Sequence, residues 1–202
     1  MAPMSCADPT EGSPRLDQRS RQVLLGIARD ALCLAVREGT RLHVPLHRLP
    51  ASVQQVRGSF VTLTMRQQLR GCIGSLSGRD ALAQSIADHS YAAALGDPRF
   101  TPVREGELAE VRIELSVLTP LSALIATSES ELLAQLRPYQ DGLVIEDGVH
   151  RATFLPKVWE TLPEPTQFLR QLKCKAGLPA EGWSPHIRVL RYESEQCREA
   201  AD

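Results

Sequence analysis

Residues 69–76 read Leu69-Arg70-Gly71-Cys72-Ile73-Gly74-Ser75-Leu76. The stretch sets a thiol between two glycines, close to an arginine. Glycine has no Cβ and lets backbone or ligand approach closely. Arginine brings a fixed charge and a fork of N–H donors. Cysteine is the reactive group, and a nearby cation favours its thiolate. Just ahead, Gly58-Ser59-Phe60-Val61-Thr62-Leu63-Thr64-Met65 is rich in β-branched and apolar residues, the composition of a strand. The link Arg66-Gln67-Gln68 is short and polar, so the two runs predict a β-hairpin. Alternation along its second strand assigns Arg70 and Cys72 to one face, and Leu69 and Ile73 to the core.

Outward from the hairpin, Asp80–Leu95 predicts a helix with Leu82, Ile86 and Ala93 inward and Ser77 or Gly78 near its cap. Pro98, in the turn Asp97-Pro98-Arg99-Phe100, forbids its continuation and holds Asp97 extended. Val111, Ile113, Leu115 and Val117 alternate with Arg112, Glu114 and Ser116, as in a half-buried strand. Upstream, the apolar spacing of Leu16–Glu38 predicts a helix ended by Gly39, followed by a Pro-bearing loop over 40–56. Downstream come a short helix at 130–136, a hairpin signalled by Asp147-Gly148, a helix over 165–176 and a last strand over 186–192. Residues 58–118 thus read ββαβ, and residues 142–192 read ββαβ again. This order predicts an α+β fold of mostly antiparallel sheets with flanking helices, in which duplicated ββαβ-like units form a larger and a smaller lobe. Residues 1–14, with Pro3, Pro9 and Pro14, read as a disordered lead. Residues 15–195 read as the domain, and 196–202 as a loose tail.

Composition excludes several classes. Among 202 residues, Lys plus Arg (23) nearly balances Asp plus Glu (24), and aromatics are only 4%. This offers neither the basic footprint nor the stacking platform of a nucleic-acid-binding protein. The five cysteines are scattered with no CxxC, so no zinc ribbon or redox motif is signalled. The residues supply no metal set and imply no cofactor. The opening residues lack the pattern of a secretory signal, and no run matches a membrane helix. The expectation is a cytoplasmic protein with reduced thiols.

The candidate chemistry centres on Cys72, as nucleophile or redox thiol, with Arg70 to activate it. Gly71 and Gly74 would expose backbone N–H groups to an anion or carbonyl. Arg99 would hold an anionic ligand, while Asp97 and Pro98 form the turn that carries it. Glu114, a second candidate catalytic residue as the orienter of an arginine, shares a strand face with Ser116, a candidate ligand-binding residue; a mid-strand carboxylate needs a partner when covered, and Arg70 or Arg99 is expected to supply it. The same residues also fit plain packing, since Gly71, Cys72 and Gly74 suit a crowded strand and buried cysteine is inert. The histidines carry little: His43 and His47 have Pro45 between them, His89 reads as a helix-surface or interface residue, and His150 and His186 stand alone.

Taken together, Gly58–Leu63, Leu69–Gly74, Asp97–Phe100, Ile113–Leu118, Asp141-Gly142-Leu143, Ala152–Pro156 and Lys175–Leu178 resemble the AMMECR-type domain family, also called AmmeMemoRadiSam system protein A. The resemblance spans roughly residues 18–193. Lys157 departs from the glutamine common after Leu-Pro in that family, Cys174 occupies a variable position, and the Pro-rich lead has no counterpart. The resemblance implies an α+β domain of duplicated character with Leu69–Gly74 near a cleft. It also implies the company of a Memo-type protein and a radical SAM protein, in a pathway that modifies RNA or another biomolecule. Two functions follow as expectations: a thiol-dependent enzyme or accessory factor using Cys72, or a non-catalytic adaptor that binds a small anion or docks a partner.

Overall fold

The structure, a computed structural model, describes residues 15–199. The expected disordered lead lies outside these residues. Two compact units divide the chain: one holds the described residues up to Pro120 together with those from Glu195, the other holds Leu121–Ser194.

The first unit opens with helix α1, Gln18–Glu38. Asp17 caps it by accepting from the Ser20 N–H, and Gly39 ends it at φ 67°, a conformation glycine adopts without penalty. The expected loop over 40–56 contains a short helix, α2 (Ala51–Gln54), and a 3-10 turn at Leu46–Arg48. Strands β1 (Ser59–Met65) and β2 (Gln68–Ser75) then form the expected antiparallel hairpin. Helix α3 spans Leu82–Leu95. Its N-cap is Ala81, with no side-chain cap bond, so neither Ser77 nor Gly78 performs that task. Strand β3, Val111–Leu118, pairs antiparallel with β1. The tail read as loose instead supplies strand β8, Ser194–Arg198. The sheet order is β2-β1-β3-β8. Leu24, Leu32, Leu82, Ile86, Val61, Leu63, Ile113 and Leu115 are each at most 1% exposed, so α1 and α3 share one core with one face of this sheet.

The second unit carries β4 (Ser122–Leu124), α4 (Glu129–Gln135), β5 (Gly142–Asp147), β6 (His150–Phe154), α5 (Pro165–Lys175) and β7 (Arg188–Tyr192). Its sheet runs β4-β7-β5-β6, with the pairs antiparallel. The hairpin turn is centred on Gly148-Val149, one residue later than Asp147-Gly148. Trp159 anchors the core: it stacks on Phe168 with ring centroids 3.8 Å apart, and its Nε1–H donates to the Asp141 carbonyl at 2.7 Å. The fold is therefore α+β, built on antiparallel pairing with flanking helices. Its element order includes β1-β2-α3-β3 and β5-β6-α5-β7, and in each group the first strand lies between the other two.

The first hairpin carries a β-bulge. Leu63 faces Gly71, but Thr64 faces Leu69, so Arg70 is an extra residue on β2. Such a bulge breaks strict alternation. Leu69 consequently leaves the core and is 44% exposed, whereas Ile73 packs against the core as expected.

Candidate functional site

The bulge sends Arg70 away from the thiol. Its guanidinium grips Glu107 through two parallel bonds, Nε to Oε1 at 2.8 Å and Nη2 to Oε2 at 3.0 Å. It also donates to the carbonyls of Thr101 and Pro102, at 2.8 and 3.2 Å. Glu107 in turn accepts the Arg104 N–H at 2.7 Å. The Arg70 guanidinium beside it, first of all, holds the Glu107 carboxyl below its ordinary range. This forked pair fixes the segment that leads from the Asp97 turn toward β3. The expected pairing of Arg70 with Cys72 or Glu114 is thus corrected.

Arg99 stands where the sequence reading placed Arg70. Asp97 is buried and accepts four bonds: from the Arg99 backbone N–H (3.1 Å), Nε (2.9 Å) and Nη2 (2.7 Å), and from the Cys72 backbone N–H (2.9 Å). The Arg99 guanidinium, before the backbone donors, holds the Asp97 carboxyl far below the usual carboxylate range against the opposing effect of burial. Arg99 Nη2 also donates to the Cys72 carbonyl at 3.1 Å. The turn thus bonds to itself through Asp97, while Arg99 reaches across to the carbonyl of β2. Arg99 is kept charged foremost by its bonds to Asp97, and the Cys72 side chain acts in the same direction.

The Cys72 thiol is half-buried and accepts from the Thr62 hydroxyl at 3.4 Å. Thr62 pairs with both Cys72 and Glu114, so Cys72, Thr62 and Glu114 form one row across three strands. Two strand spacings put Cys72 and Glu114 about 10 Å apart at the backbone. Glu114 pairs with Arg198 at 2.8 Å, so its ion-pair partner is neither Arg70 nor Arg99. The next row is Gly74, Phe60 and Ser116. A Cβ on Gly74 would meet the Phe60 ring at 2.4 Å and the Ser59 carbonyl oxygen at 2.3 Å, and Ser116 is buried. Gly71 is needed for a different reason: a Cβ there would meet the Ala93 carbonyl oxygen of α3 at 2.3 Å.

The structure thus gathers Cys72, Arg99, Asp97 and Thr62, turns Arg70 to Glu107, and sets Glu114 beyond Thr62 on the next strand, paired with Arg198. Thr62 and Glu107 escaped the sequence reading. Hairpin register pointed to Thr62 opposite Cys72; nothing local pointed to Glu107. His89 lies where α3 meets the sheet: its Nδ1 is 3.2 Å from the buried Ser59 hydroxyl of β1, and burial pushes its pKa down. Among the described residues, no cluster of three or more His, Cys, Asp or Glu is placed to hold a metal ion, and no helix is long and apolar enough to cross a membrane.

Fold and site together define an α+β protein whose Leu69–Gly74 strand is braced by an Asp97–Arg99 turn. The chain belongs to the AMMECR1 family, whose pattern matches residues 25–197. It is 36% identical over 186 residues to a protein of Methanothermobacter thermautotrophicus, covering 89% of this chain and 94% of that one. A protein of Thermococcus onnurineus is 35% identical over 190 residues, covering 90% and 91%. The crystal structure of uncharacterized protein PH0010 from Pyrococcus horikoshii superposes with a TM-score of 0.81 at 28% identity, over 90% of this chain and 92% of that one.

Proposed function

We propose that this chain is a cytoplasmic enzyme or accessory factor of the AmmeMemoRadiSam type that works through the thiol of Cys72. One observation carries the reading: Cys72 is a half-buried thiol bonded by the Thr62 hydroxyl, on a residue whose backbone N–H and carbonyl are held by Asp97 and Arg99. Cysteine attacks as its thiolate, and the Asp97–Arg99 pair fixes the backbone that carries this one. In this reading a Memo-type protein and a radical SAM protein are the partners, and the pathway modifies RNA or another biomolecule. The two ββαβ successions are read as one unit used twice.

The test is alkylation by iodoacetamide at neutral pH, followed peptide by peptide. Cys72 is expected to react faster than exposed Cys174, half-buried Cys33 and buried Cys197, and than Cys6. Arg99→Ala is expected to slow it, because it removes the donor that holds the Cys72 carbonyl. An unreactive Cys72 in the folded protein refutes the thiol reading.

A second reading is favoured by the saturation of Arg70 and Asp97 in internal bonds. Here the two motifs shape a non-catalytic surface that binds a small anion or docks a partner. Cys72→Ala then preserves the protein's function in its pathway, whereas under the thiol reading it abolishes it.

A further inference from the structure

A hollow of about 390 Å³ opens beside the Asp97 turn, lined by Arg70, Phe100, Thr101, Arg104 and Glu107. Its volume falls in the range of small-ligand sites, which runs from about 300 to 1,000 Å³. Its charges do not cancel. Arg70 and Glu107 neutralise each other in their forked pair. The Arg104 guanidinium donates no hydrogen bond among the described residues, although its charge is felt at Glu107. The lining of the hollow therefore carries one net positive charge, and the planar fork of Arg104 is not spent on a hydrogen bond among the described residues. The Thr101 carbonyl is occupied by Arg70, which leaves the Thr101 hydroxyl as a further donor. Phe100 adds an aromatic ring, with the Arg99 guanidinium 5.4 Å from its centroid.

We infer that this hollow binds a small oxyanion attached to a flat ring: Arg104 and Thr101 take the oxyanion and the Phe100 ring takes the flat group. Arginine suits the task because its fork bonds two oxygens of a phosphate or carboxylate at once. The rigid Arg70–Glu107 pair holds the hollow open by tying the Thr101–Pro102 backbone to β2. This deepens the small-anion reading above and needs nothing from the Cys72 thiol.

Isothermal titration of the full chain with phenyl phosphate, benzoate and inorganic phosphate tests it. The expected result is one saturable site for phenyl phosphate or benzoate, the stronger of the two identifying the oxyanion, with inorganic phosphate weaker than phenyl phosphate. Arg104→Ala is expected to weaken binding tenfold or more, about what charge-assisted hydrogen bonds contribute. Arg104→Lys, which keeps the charge and loses the fork, falls between. Phe100→Leu is expected to bring phenyl phosphate down to the affinity of inorganic phosphate. Absence of saturable binding by both ring-bearing probes overturns the inference. So does an Arg104→Ala protein that binds as the wild type does, or, where phenyl phosphate binds, equal affinity for it and for inorganic phosphate. Alkylation of Cys72 is a separate readout: a protein with an inert Cys72 that still binds phenyl phosphate upholds this site and refutes only the thiol reading.

Discussion

The Asp97 carboxylate accepts the backbone N–H of Cys72 at 2.9 Å. Strand β2 lies at the edge of its sheet, and an edge strand presents unpaired backbone groups outward. At Cys72 the missing neighbour is replaced by side chains: Asp97 takes the N–H, and Arg99 donates to the carbonyl at 3.1 Å. The Asp97-Pro98-Arg99-Phe100 turn is therefore a two-pronged clip on the backbone of the thiol residue. It fixes the position of the thiol and closes that stretch of edge to strand addition.

Asp97→Asn is expected to cost about 2–3 kcal/mol at neutral pH, because it uncouples a buried hydrogen-bonded charge from its arginine. The loss depends on pH with a definite sign. Asp97 has a folded pKa depressed below its ordinary 3.8. Its contribution is present in full above that value and is lost as pH falls through the folded one. Urea unfolding of the two proteins should show a wide gap at pH 7 that narrows progressively below pH 4. A gap of constant size across that range would remove the charge from the account.

Gly71→Ala tests the contact that brings the clip within reach. The new Cβ would sit 2.3 Å from the Ala93 carbonyl oxygen, a backbone atom in the last turn of α3. That turn leads directly into Asp97. Overpacking of this kind costs about 1–3 kcal/mol, and displacing the α3 end also loosens Asp97 from Cys72. The expected outcome is a lower urea midpoint with faster hydrogen exchange at the Cys72 amide. Gly106→Ala is the control, since nothing lies within 4 Å of its Cβ. Equal stability of the two variants would mean that α3 simply yields.

How far these features could be read from the sequence depended on their range. The first hairpin, α1, α3, β3 and the second hairpin carried periodic or turn signals strong enough to place them. Strand β8 did not: of Ser194–Arg198 only Cys197 is buried, so nothing in its pattern announces a strand. Strand β4 is three residues long with no buried position, and failed for the same reason. The arginines of the candidate site were exchanged because a single bulged residue reversed the parity of β2 at Arg70. Parity arguments hold only while the register is unbroken. The true partner of Arg70, Glu107, lies 37 positions away and belongs to a single 3-10 turn, Glu105–Glu107, too short to show periodicity. Asp97 and Arg99 were legible as a turn, and their grip on Cys72 became visible only when α3 was folded back over β2.

The tip of the first hairpin stores strain that a single substitution should release. Its two turn residues, Arg66 and Gln67, have φ of 52° and 65°, the left-handed pattern of a type I′ turn, which favours Asn-Gly. Side chains with a Cβ hold that region at a cost of about 1–3 kcal/mol. Arg66 has a compensation, a forked pair with Glu110 at 2.7 and 3.2 Å; Gln67 makes no side-chain hydrogen bond among the described residues. Gln67→Gly removes the steric cost and keeps the Arg66–Glu110 pair, while adding freedom to the unfolded chain worth about 0.5–1 kcal/mol. The net expectation is a gain of about 0.5–1 kcal/mol in urea unfolding. Gln67→Val should move the other way by more than this, because a β-branched residue is poorly suited to positive φ. The pair of signs is the test. A glycine variant no more stable than the wild type, or a valine variant equally stable, would mean that the turn relaxes out of the left-handed region and that register is set by the core residues Val61, Leu63 and Ile73 alone.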